Sequence, residues 1–493
     1  MRIGDLMEES GVRFGTSGAR GLVSQMTDRV CYAYTQGFLE YAAASGGIQR
    51  GGAVALAGDY RPSTARILAA CAQAIADLGY QLRYLGRIPT PALAYFGIQE
   101  GIPSLMVTGS HIPDDRNGIK FNLPWGEILK SDETGIRQRR VRLPAGSFGE
   151  DGSFLTPPPL PEIEPAGLAS YVARYRDFFP ADGLQGLRIG LYEHSSVARE
   201  AFFQVLSALG AEVEQLGFSE TFVPVDTEAI RQEDIYLAQE WARQGNFDAL
   251  VSADGDGDRP LIADEQGHWL RGDIAGILCA RQLGAQGVAA PISCNTALEK
   301  TGWFPQILRT RIGSPYVIEG MNSLCRQGIA PVVGYEANGG FLTATEIQRE
   351  GRRLPPLPTR DAVLVAVTLL QAIREQDRPL SALVSDLPKR FTASDRIQNF
   401  PTELSRERLS VLNSGDLEKD RAAAEALFGD LFGPLEGMDH TDGVRLYFTS
   451  GEIVHLRPSG NAPELRAYTE ADTQERAWEM NRRCLEKLSA WRT

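Results

Sequence analysis

The opening third of the chain alternates short apolar runs with longer amphipathic ones. The run AVALAG over 53–58 predicts a buried strand, and YQLRYLG over 80–86 predicts the next. Between them, residues 62–79 have apolar positions at helical spacing and end at a glycine, which predicts a helix. A further apolar run over 104–110 ends in small polar residues. Strands that alternate with helices predict a largely parallel, helix-covered sheet, in which ligands bind beyond the carboxyl ends of the strands.

The same pattern restarts twice after a proline-rich segment. TPPPLPEIEP over 156–165 is too stiff and too poor in apolar residues for a core, so it predicts a linker. Near the C-terminus, residues 444–460 predict a hairpin ahead of a final helix. We therefore predict an α/β protein with three tandem α/β domains, whose sheets are mixed and largely parallel, plus a smaller C-terminal α+β domain. The predicted domains are 1–155, 166–268, 269–389 and 390–493.

Composition narrows the class of protein. The 493 residues include 50 basic and 63 acidic side chains, a net charge of −13, with 43% hydrophobic and 23% charged residues. Such fractions are typical of globular chains. The acidic balance argues against a nucleic-acid partner, because phosphate backbones are bound by excess lysine and arginine. Six dispersed cysteines, no secretory signal and no apolar run near about 20 residues predict a cytoplasmic protein without a membrane partner.

The most specific local pattern is the alternation of Asp254, Asp256 and Asp258 with glycine. Three carboxylates at this spacing can converge on one hard cation while the backbone folds tightly around it. An EF-hand calcium loop is the competing interpretation, because Glu265 falls at the twelfth position from Asp254. Its sixth position needs glycine but holds Arg259, and the flanks predict strands rather than helices. The pattern therefore favours a metal site over an acidic turn, with Mg²⁺ as the expected ion.

Four other loops combine glycine with small polar and charged residues. They are GTSGARG over 15–21, TGSHIP over 108–113, GYEANGG over 334–340 and RPSGNAP over 457–463. The second follows an apolar strand, which is a ligand-facing position, but it lacks the GxSxG pattern of a hydrolase nucleophile. The third offers a carboxylate and an amide suited to sugar hydroxyls, and the fourth offers an arginine fork for phosphate. Each loop alone is also compatible with an ordinary turn.

Taken together in this order, the five loops resemble those of the α-D-phosphohexomutase family, and the resemblance covers nearly the whole chain. Residues 15–21 resemble the N-terminal GTSGxRG loop, and residues 108–113 resemble the phosphoserine loop. Residues 254–259, 334–340 and 457–463 resemble the magnesium, sugar-recognition and phosphate-binding loops. The resemblance implies that the four predicted domains carry the phosphoserine, metal, sugar and phosphate sites in chain order, around a central cleft.

The resemblance also implies a mechanism, in which phosphate moves between the 6- and 1-positions of a hexose. Ser110 would carry the phosphoryl group and donate it to a hexose phosphate. The product would be a hexose 1,6-bisphosphate, which serves as intermediate and activator. The implied site residues are Ser110, Asp254, Asp256 and Asp258 for Mg²⁺; Ser110, His111, Lys120, Arg20 and Arg259 for catalysis; Glu336 and Asn338 for the sugar; and Arg457, Ser459, Asn461 and Arg466 for the second phosphate. The implied partners are small hexose phosphates, and the protein is expected to be a monomer or small homo-oligomer.

The chain departs from the family pattern in two of these loops. The phosphoserine loop more often reads TASHNP, whereas this chain has Gly109 and Ile112. The phosphate loop more often reads RPSGTEP, whereas this chain has Asn461 and Ala462. Residues 269–439 contain no histidine, so the third-domain histidine of some bacterial phosphomannomutases cannot be carried over. The residue that transfers the proton therefore stays open among His111, Lys120, Arg20 and Arg259.

Mannose phosphate is the expected substrate on overall loop style, and other phosphorylated sugars are alternatives. A glutamate that holds the 3- and 4-hydroxyls cannot distinguish mannose from glucose, which differ at C2. The Glu-Ala-Asn-Gly string also resembles the sugar loop of phosphoacetylglucosamine mutases, so phosphoglucomutase and aminosugar phosphate mutase activities stay open. More remote alternatives are a sugar-phosphate phosphatase and a non-catalytic sugar-phosphate-binding protein. Ser110, the three aspartates and Arg457 argue against mere binding, which requires no phosphoryl acceptor.

Overall fold

The structure, a computed structural model, describes residues 1–15, 18–459 and 463–492. The chain divides into two compact units. The first unit contains residues 1–288 and 313–384, and the second contains residues 289–312 and 385–493.

The first part of the chain builds a helix-covered sheet. Its elements are α1 (Ile3–Ser10), β1 (Arg13–Phe14), β2 (Gly18–Leu22), α2 (Asp28–Ala44), β3 (Ala53–Gly58), α3 (Thr64–Asp77), β4 (Gln81–Gly86), α4 (Thr90–Glu100), β5 (Ser104–Val107), β6 (Arg116–Leu123), β7 (Gly126–Glu127) and α5 (Lys130–Arg137). The strand order is β1-β2-β6-β5-β3-β4, with β7 beside β6. Strand β3 runs parallel to β4 and β5, whereas β6 runs antiparallel to β2 and β5. The sheet is therefore mixed, as predicted, but it is not largely parallel as expected for this part of the chain. Among the described residues, β3 forms two parallel pairs, whereas β1–β2, β2–β6, β5–β6 and β6–β7 are antiparallel.

Local sequence explains where these elements begin and end. Helix α2 begins after Thr27, whose side-chain oxygen accepts a hydrogen bond from the Val30 N–H. Helix α4 has a proline in its first turn, where a missing N–H costs nothing, and it ends at Gly101 in the left-handed conformation. Strand β3 is almost wholly buried, because helices α3 and α4 both pack against it. Strand β5 is equally buried and leads directly into the 108–113 loop.

A smaller sheet follows the proline-rich segment, whose residues 156–164 contain neither helix nor strand. Its elements are α6 (Ala166–Phe178), β8 (Arg188–His194), α7 (Arg199–Ala208), β9 (Glu212–Phe218), α8 (Gln232–Gly245), β10 (Ala249–Ala253) and β11 (Pro260–Ala263). The strand order is β11-β10-β8-β9, in which β8 runs parallel to β9 and β10 while β11 is antiparallel to β10. The strands predicted on both sides of the aspartate pattern are confirmed as β10 and β11, and the loop between them holds the three aspartates.

The next stretch has short strands and one long buried helix. Its elements are α9 (Gly272–Gln282), β12 (Gly287–Pro291), α10 (Ala297–Lys300), β13 (Gln306–Thr310), α11 (Ser314–Arg326), β14 (Val332–Tyr335), β15 (Phe341–Thr343), β16 (Ile347–Arg349), β17 (Arg352–Leu354), α12 (Ala362–Gln376) and α13 (Leu380–Ser385). Strands β14 and β15 pair antiparallel, and the loop between them is the 334–340 segment. Helix α12 begins at Asp361, whose carboxylate accepts from the Leu364 N–H. This cap fixes the position of the preceding residue, Arg360.

The C-terminal part forms an antiparallel sheet with helices packed on it. Its elements are β18 (Phe391–Gln398), α14 (Thr402–Ser410), α15 (Leu417–Phe432), β19 (Leu435–Asp439), β20 (Val444–Phe448), β21 (Ile453–Pro458), β22 (Glu464–Ala471) and α16 (Gln474–Ser489). The strand order is β18-β22-β21-β20-β19. The predicted hairpin over 444–460 is confirmed as the β20–β21 pair.

His455 provides a test of how this sheet responds to pH. Its side chain lies 1% exposed on β21, with Nε2 2.6 Å from the Asp442 carbonyl, and burial lowers its pKa to about 4. The unfolded chain takes up this proton near the ordinary pKa of about 6.5, so stability present above pH 6.5 is lost as the pH falls towards 4. We expect His455→Gln to reduce the acid-induced loss of unfolding free energy between pH 7.5 and 5 by about 2 kcal/mol.

Urea unfolding of the two proteins at both pH values measures this difference. The exposed His268 supplies a matched substitution, and an equal change in His268→Gln would contradict a specific role for burial at position 455. Equal acid sensitivity of wild type and His455→Gln would contradict the assignment.

Candidate active site

Three of the predicted loops follow the ends of buried strands in the first unit. Ser110 comes shortly after β5, Asp254 directly after β10, and Glu336 directly after β14. Loops at such strand ends are where α/β sheets bind their ligands. The structure brings side chains of these three loops together, as the contacts below describe.

Ser110 is held in an unusual conformation and touches the aspartate loop. Its φ of 58° lies in the left-handed region, which only a few per cent of non-glycine residues adopt. Its side chain is buried, and Oγ donates to Asp254 Oδ2 at 2.7 Å. Its N–H donates to Thr108 Oγ1 at 2.7 Å, and His111 Nδ1 lies 3.4 Å from its Oγ. The serine hydroxyl is therefore fixed at the edge of the carboxylate cluster.

Arg61 secures the backbone of the Ser110 loop. The side chain is fully buried, and its Nε lies 3.1 Å from Asp59 Oδ2. Its guanidinium donates to the carbonyls of Ser110 at 2.8 Å, Ile112 at 2.5 Å, Pro113 at 2.7 Å and Arg116 at 3.1 Å. Asp59 also accepts from Thr108 Oγ1 at 2.7 Å. One ion pair thus ties the end of β3 to the whole turn that presents the serine.

The three aspartates form a buried cluster with the chemistry of a cation site. One oxygen from each lies within 4.8 Å of the others, and all three side chains are fully buried. Asp254 Oδ1 accepts the N–H groups of Asp258 and Arg259. Burial and the two neighbouring carboxylates raise the pKa of Asp254 well above its usual range. Within the described parts of the chain, Asp256 Oδ1 and Asp258 Oδ1 have no hydrogen-bond partner. Two carboxylate oxygens without a hydrogen-bond partner, next to a third carboxylate that is destabilised by their charge, fit a site for a hard metal ion.

Lysine and arginine side chains also surround the three aspartates. The spacing of the aspartates in the sequence did not predict these ion pairs. Lys120 Nζ lies 2.6 Å from Asp256 Oδ2 and 2.5 Å from Asp258 Oδ2. Burial opposes the charge of Lys120, but these carboxylates outweigh it and raise the lysine pKa. Burial alone would raise the pKa of Asp258, but Arg360, Lys120 and Arg259 hold it well below its usual range. Arg259 Nε is 3.8 Å from Asp258 and 3.9 Å from Asp254.

His111 and Arg20 complete the predicted catalytic group in this unit. Burial, together with Arg259 and Arg20, lowers the His111 pKa well below its usual range, so its imidazole is neutral at pH 7. Burial and Arg259 lower the pKa of Arg20 to about 10, which leaves it charged. Arg20 lies on β2, opposite Gly118 on β6, two residues from Lys120.

The proposed sugar loop is connected to the aspartate cluster through Arg360. Arg360 Nη2 lies 2.8 Å from Asp258 Oδ2, and Nη1 lies 3.2 Å from Glu336 Oε2. Its side chain is buried, and it also donates to Ser314 Oγ at 3.1 Å. Asn338 Oδ1 accepts the Gly340 N–H at 2.9 Å, which shapes the loop. One guanidinium therefore serves two acidic groups from different loops.

The predicted phosphate-binding residues lie in the second unit. Arg457 lies near the end of β21, directly opposite Arg466 on β22. Arg457 Nε is 3.1 Å from Asp442 Oδ2, and Arg466 Nη2 is 3.2 Å from Glu464 Oε2. Ser459 follows β21 and its N–H donates to the Glu464 carbonyl. Two arginines thus share one end of a strand pair. Asn461 lies outside the described residues, as do positions 16 and 17 of the 15–21 loop.

Two residues that sequence reasoning missed, Arg61 and Arg360, hold these loops in place. Arg61 had a recoverable signal, because the segment Asp59-Tyr60-Arg61 follows buried strand β3 just as the Ser110 loop follows β5. Arg360 had none, since it precedes a helix cap with no surrounding motif.

Comparison with known proteins identifies the class to which this fold and site belong. Models of the phosphoglucomutase/phosphomannomutase family match the α/β/α domains I, II and III over residues 11–142, 169–267 and 271–391, and the C-terminal domain over 411–487. The chain belongs to this family, and it is an enzyme of the isomerase class that acts by phosphoryl transfer. The resemblance to α-D-phosphohexomutases is therefore confirmed, as is the predicted fold class.

Two phosphomannomutases are similar over nearly their full length. The one from Salmonella muenchen is 44% identical over 475 residues, which is 96% of this chain and 95% of that protein. The one from Sinorhizobium fredii is 42% identical over 95% of this chain and 96% of that protein. Among solved structures, a phosphoglucomutase/phosphomannomutase family protein from Burkholderia thailandensis has a TM-score of 0.73 at 19% identity and covers 97% of both chains. The latter likeness supports the fold alone.

No helix within residues 1–15, 18–459 and 463–492 is both long enough and apolar enough to cross a membrane.

Proposed function

We propose that the enzyme interconverts mannose 6-phosphate and mannose 1-phosphate through a phosphoserine at Ser110 and a hexose 1,6-bisphosphate. The observation that carries the proposal is the Ser110 hydroxyl, which is fixed 2.7 Å from Asp254 at the edge of three buried carboxylates. The phosphomannomutase names of the two relatives above 40% identity support mannose as the sugar. We also propose that its partners are small hexose phosphates, with no nucleic acid and no membrane. We propose that the protein is a monomer or small homo-oligomer in the cytoplasm.

In the proposed reaction, the bond between phosphorus and Ser110 Oγ breaks as the free hydroxyl of the hexose phosphate bonds to phosphorus. The hydroxyl proton passes to a neighbouring group, and the released Ser110 oxygen takes up a proton, so that a serine hydroxyl is restored. The reverse transfer, from the other end of the bisphosphate, returns a phosphoryl group to Ser110. Arg61 keeps the Oγ in line by holding four carbonyls of its loop. His111 Nδ1, 3.4 Å from Oγ, is placed to exchange a proton with the serine oxygen, which is the leaving oxygen in the forward transfer and the attacking oxygen in the return transfer.

We propose Ser110, Asp254, Asp256 and Asp258 as the ligands of Mg²⁺. Bound there, a divalent cation would stabilise negative charge on the phosphoryl group during transfer. Lys120, Arg20 and Arg259 would add fixed positive charge around the same group. Lys120 already contacts two of the carboxylates, so it would balance their charge before and after transfer.

We assign the sugar to Glu336 and Asn338, and the phosphate that is not transferred to Arg457, Ser459, Asn461 and Arg466. Glu336 supports this assignment because its carboxylate is turned towards Arg360 at the aspartate cluster. Arg457 and Arg466 support it because they face each other on adjacent strands and offer two guanidinium forks. We also retain the domain limits 1–155, 166–268, 269–389 and 390–493 as a proposal.

Coupled assays on the 1-phosphates of mannose, glucose, glucosamine and N-acetylglucosamine test the substrate, with Mg²⁺ and a trace of glucose 1,6-bisphosphate. Isomer formation that is fastest with mannose 1-phosphate supports the proposal. Preference for an aminosugar phosphate would overturn the substrate, and net release of inorganic phosphate would indicate a phosphatase instead.

Arg61→Lys should lower kcat about tenfold to hundredfold with little change in KM. Lysine keeps the charge, but its three donors on one nitrogen cannot span the four loop carbonyls and Asp59. Misplacing the serine by about 1 Å can cost about a hundredfold in rate. Arg66→Lys is the matched control, because Arg66 donates to Asp28 and Met26 outside the serine loop. Steady-state kinetics on mannose 1-phosphate measure both variants, and equal losses in the two would contradict a specific role for Arg61.

Glu336→Ala and Arg457→Ala should fail in different ways. Phosphate anchoring is similar in the ground and transition states, so Arg457→Ala should raise KM about tenfold to hundredfold. Glu336→Ala should lower kcat with both mannose and glucose 1-phosphates, because the sugar hydroxyl is no longer held in line. Kinetics on both sugars, with the exposed Glu346→Ala as a control, measure the difference. If Arg457→Ala mainly lowers kcat and Glu336→Ala mainly raises KM, the two loops are assigned the wrong way round.

A further inference from the structure

A cavity lies within the second unit. Its volume is about 330 Å³, near the lower end of the about 300–1,000 Å³ range of small-molecule pockets. Ile292, Phe448 and Ile453 form its apolar wall. Ile453 begins β21 and Arg457 lies four residues further on, about 13 Å along the strand. The cavity is therefore distinct from the 457–463 loop.

Arg445, on β20, is a buried cation in this wall without a close acceptor. It is 3% exposed, and within the described chain its Nε has no hydrogen-bond partner. The carboxylate of Glu470 is 3.7 Å from its Nη2, beyond hydrogen-bond distance. Burial lowers the pKa of Arg445, which reflects the cost of keeping this charge dry. Buried polar donors are normally satisfied, so this guanidinium has capacity for an acceptor that the chain does not supply.

Most other charged side chains of the wall are already paired. The pairs are Arg390 with Glu470 and Asp472, Arg309 with Glu299, and Glu452 with Arg476. Glu470 also accepts from the side chain of Thr296, so it is not reserved for Arg445. At the rim, Lys300 and Glu436 are exposed and of opposite sign. The buried part of the cavity therefore presents the Arg445 guanidinium beside an apolar surface. Its Nε has no hydrogen-bond partner in the described chain, and Glu470, at 3.7 Å and shared with Arg390, balances its charge only in part.

We propose that this cavity binds a small phosphate monoester with a flat or apolar body, and that Arg445 binds its phosphate. A guanidinium fork matches two phosphate oxygens, and its binding strength grows when water is excluded. The apolar wall accommodates the organic part, and Tyr447, whose ring centroid lies 5.5 Å from the Arg445 guanidinium carbon, lines the same cavity. The volume suits a ligand no larger than a nucleoside monophosphate. This site is separate from the proposed mannose phosphate site and does not depend on it.

Titration calorimetry with three probes tests the chemistry: AMP, inorganic phosphate and adenosine. We expect AMP to bind more tightly than phosphate, and adenosine to bind most weakly, because the phosphate and the ring contribute together. Arg445→Met should raise the Kd for AMP at least tenfold, whereas Arg457→Ala should leave this binding unchanged. Arg482→Gln, on an exposed helix face of the same unit, is the control and should bind as wild type.

A second variant keeps the proposal testable if Arg445→Met does not fold. Ile453→Trp places a larger side chain in the cavity and leaves Arg445 unchanged. It should therefore weaken the binding of AMP, whose organic part needs this space, while inorganic phosphate still binds. Loss of AMP binding in Arg457→Ala but not in Arg445→Met would assign the anion to the 457–463 loop and overturn the proposal. Absence of saturable AMP binding to the wild type, or adenosine binding as tightly as AMP, would also overturn it.

Discussion

Ser110→Ala should lose at least about a thousandfold in mutase turnover. The reaction we propose passes every phosphoryl group through the Ser110 oxygen, so the alanine variant has no acceptor and no alternative nucleophile in place. The residues proposed to bind the sugar and the second phosphate lie in other loops, and the substitution removes only one hydroxyl and its hydrogen bond to Asp254. We therefore expect kcat to collapse while the affinity for hexose phosphate changes by less than about tenfold.

Coupled assays, equilibrium binding and phosphopeptide mapping measure the three consequences separately. Wild-type protein incubated with glucose 1,6-bisphosphate should yield a single phosphopeptide that contains Ser110, and the variant should yield none. Ser207→Ala, on the exposed face of α7, is the control and should retain full activity. Phosphate mapped to another residue, or an active Ser110→Ala enzyme, would refute the phosphoserine assignment.

Asp256→Asn should lower kcat about a hundredfold to a thousandfold and weaken Mg²⁺ binding. Asparagine keeps the shape but removes one of three negative charges, and its amide nitrogen cannot replace the orphaned Oδ1 as a ligand. Metal stabilisation of phosphoryl charge is worth several kcal/mol, which corresponds to this range. The other oxygen of Asp256 accepts from Thr90 Oγ1 and Lys120 Nζ, contacts that an amide oxygen can retain in part.

Mg²⁺ titration calorimetry gives a readout that does not depend on turnover. The variant should bind at least tenfold more weakly than wild type, and the exposed Asp395→Asn should bind as wild type. EDTA-treated wild type should be inactive and should recover when Mg²⁺ is added. Full activity after chelation, or unchanged Mg²⁺ affinity in Asp256→Asn, would rule out the cluster as the metal site.

The sequence indicated the site loops because each combines a local motif with the end of a buried strand. Ser110, Asp254 and Glu336 all occupy that position, and the alternation of strands and helices was sufficient to predict it. The antiparallel pairing of β2, β5 and β6 was not visible in the pattern, because it depends on which strands meet rather than on periodicity.

Contacts between segments that are distant in the chain could not be predicted from the hydrophobic pattern either. Lys120 was a candidate from its motif, but its contacts to Asp256 and Asp258 join residues more than 130 positions apart. Arg360 reaches Asp258 across 102 positions and carries no motif of its own. Such pairs follow from tertiary packing alone, since local periodicity contains no information about partners across sheets. The candidate metal ligands and the loops could therefore be predicted from the sequence, whereas Arg61 and Arg360, which position them, were found in the structure.

Arg360 has a consequence for anyone who wishes to change the sugar preference of this enzyme. Because its guanidinium is shared between Glu336 and Asp258, a substitution in the 334–340 loop also alters the charge balance of the aspartate loop. On the proposed assignment of Glu336 to the sugar, changing this residue alone is expected to lower turnover as well as to alter sugar binding. Libraries should therefore vary positions 336 and 360 together and keep Asp258 fixed. When Glu336 is replaced by a neutral residue, Arg360 can then be replaced by a smaller or neutral residue as well. In this fold, selectivity and chemistry have to be redesigned as one unit.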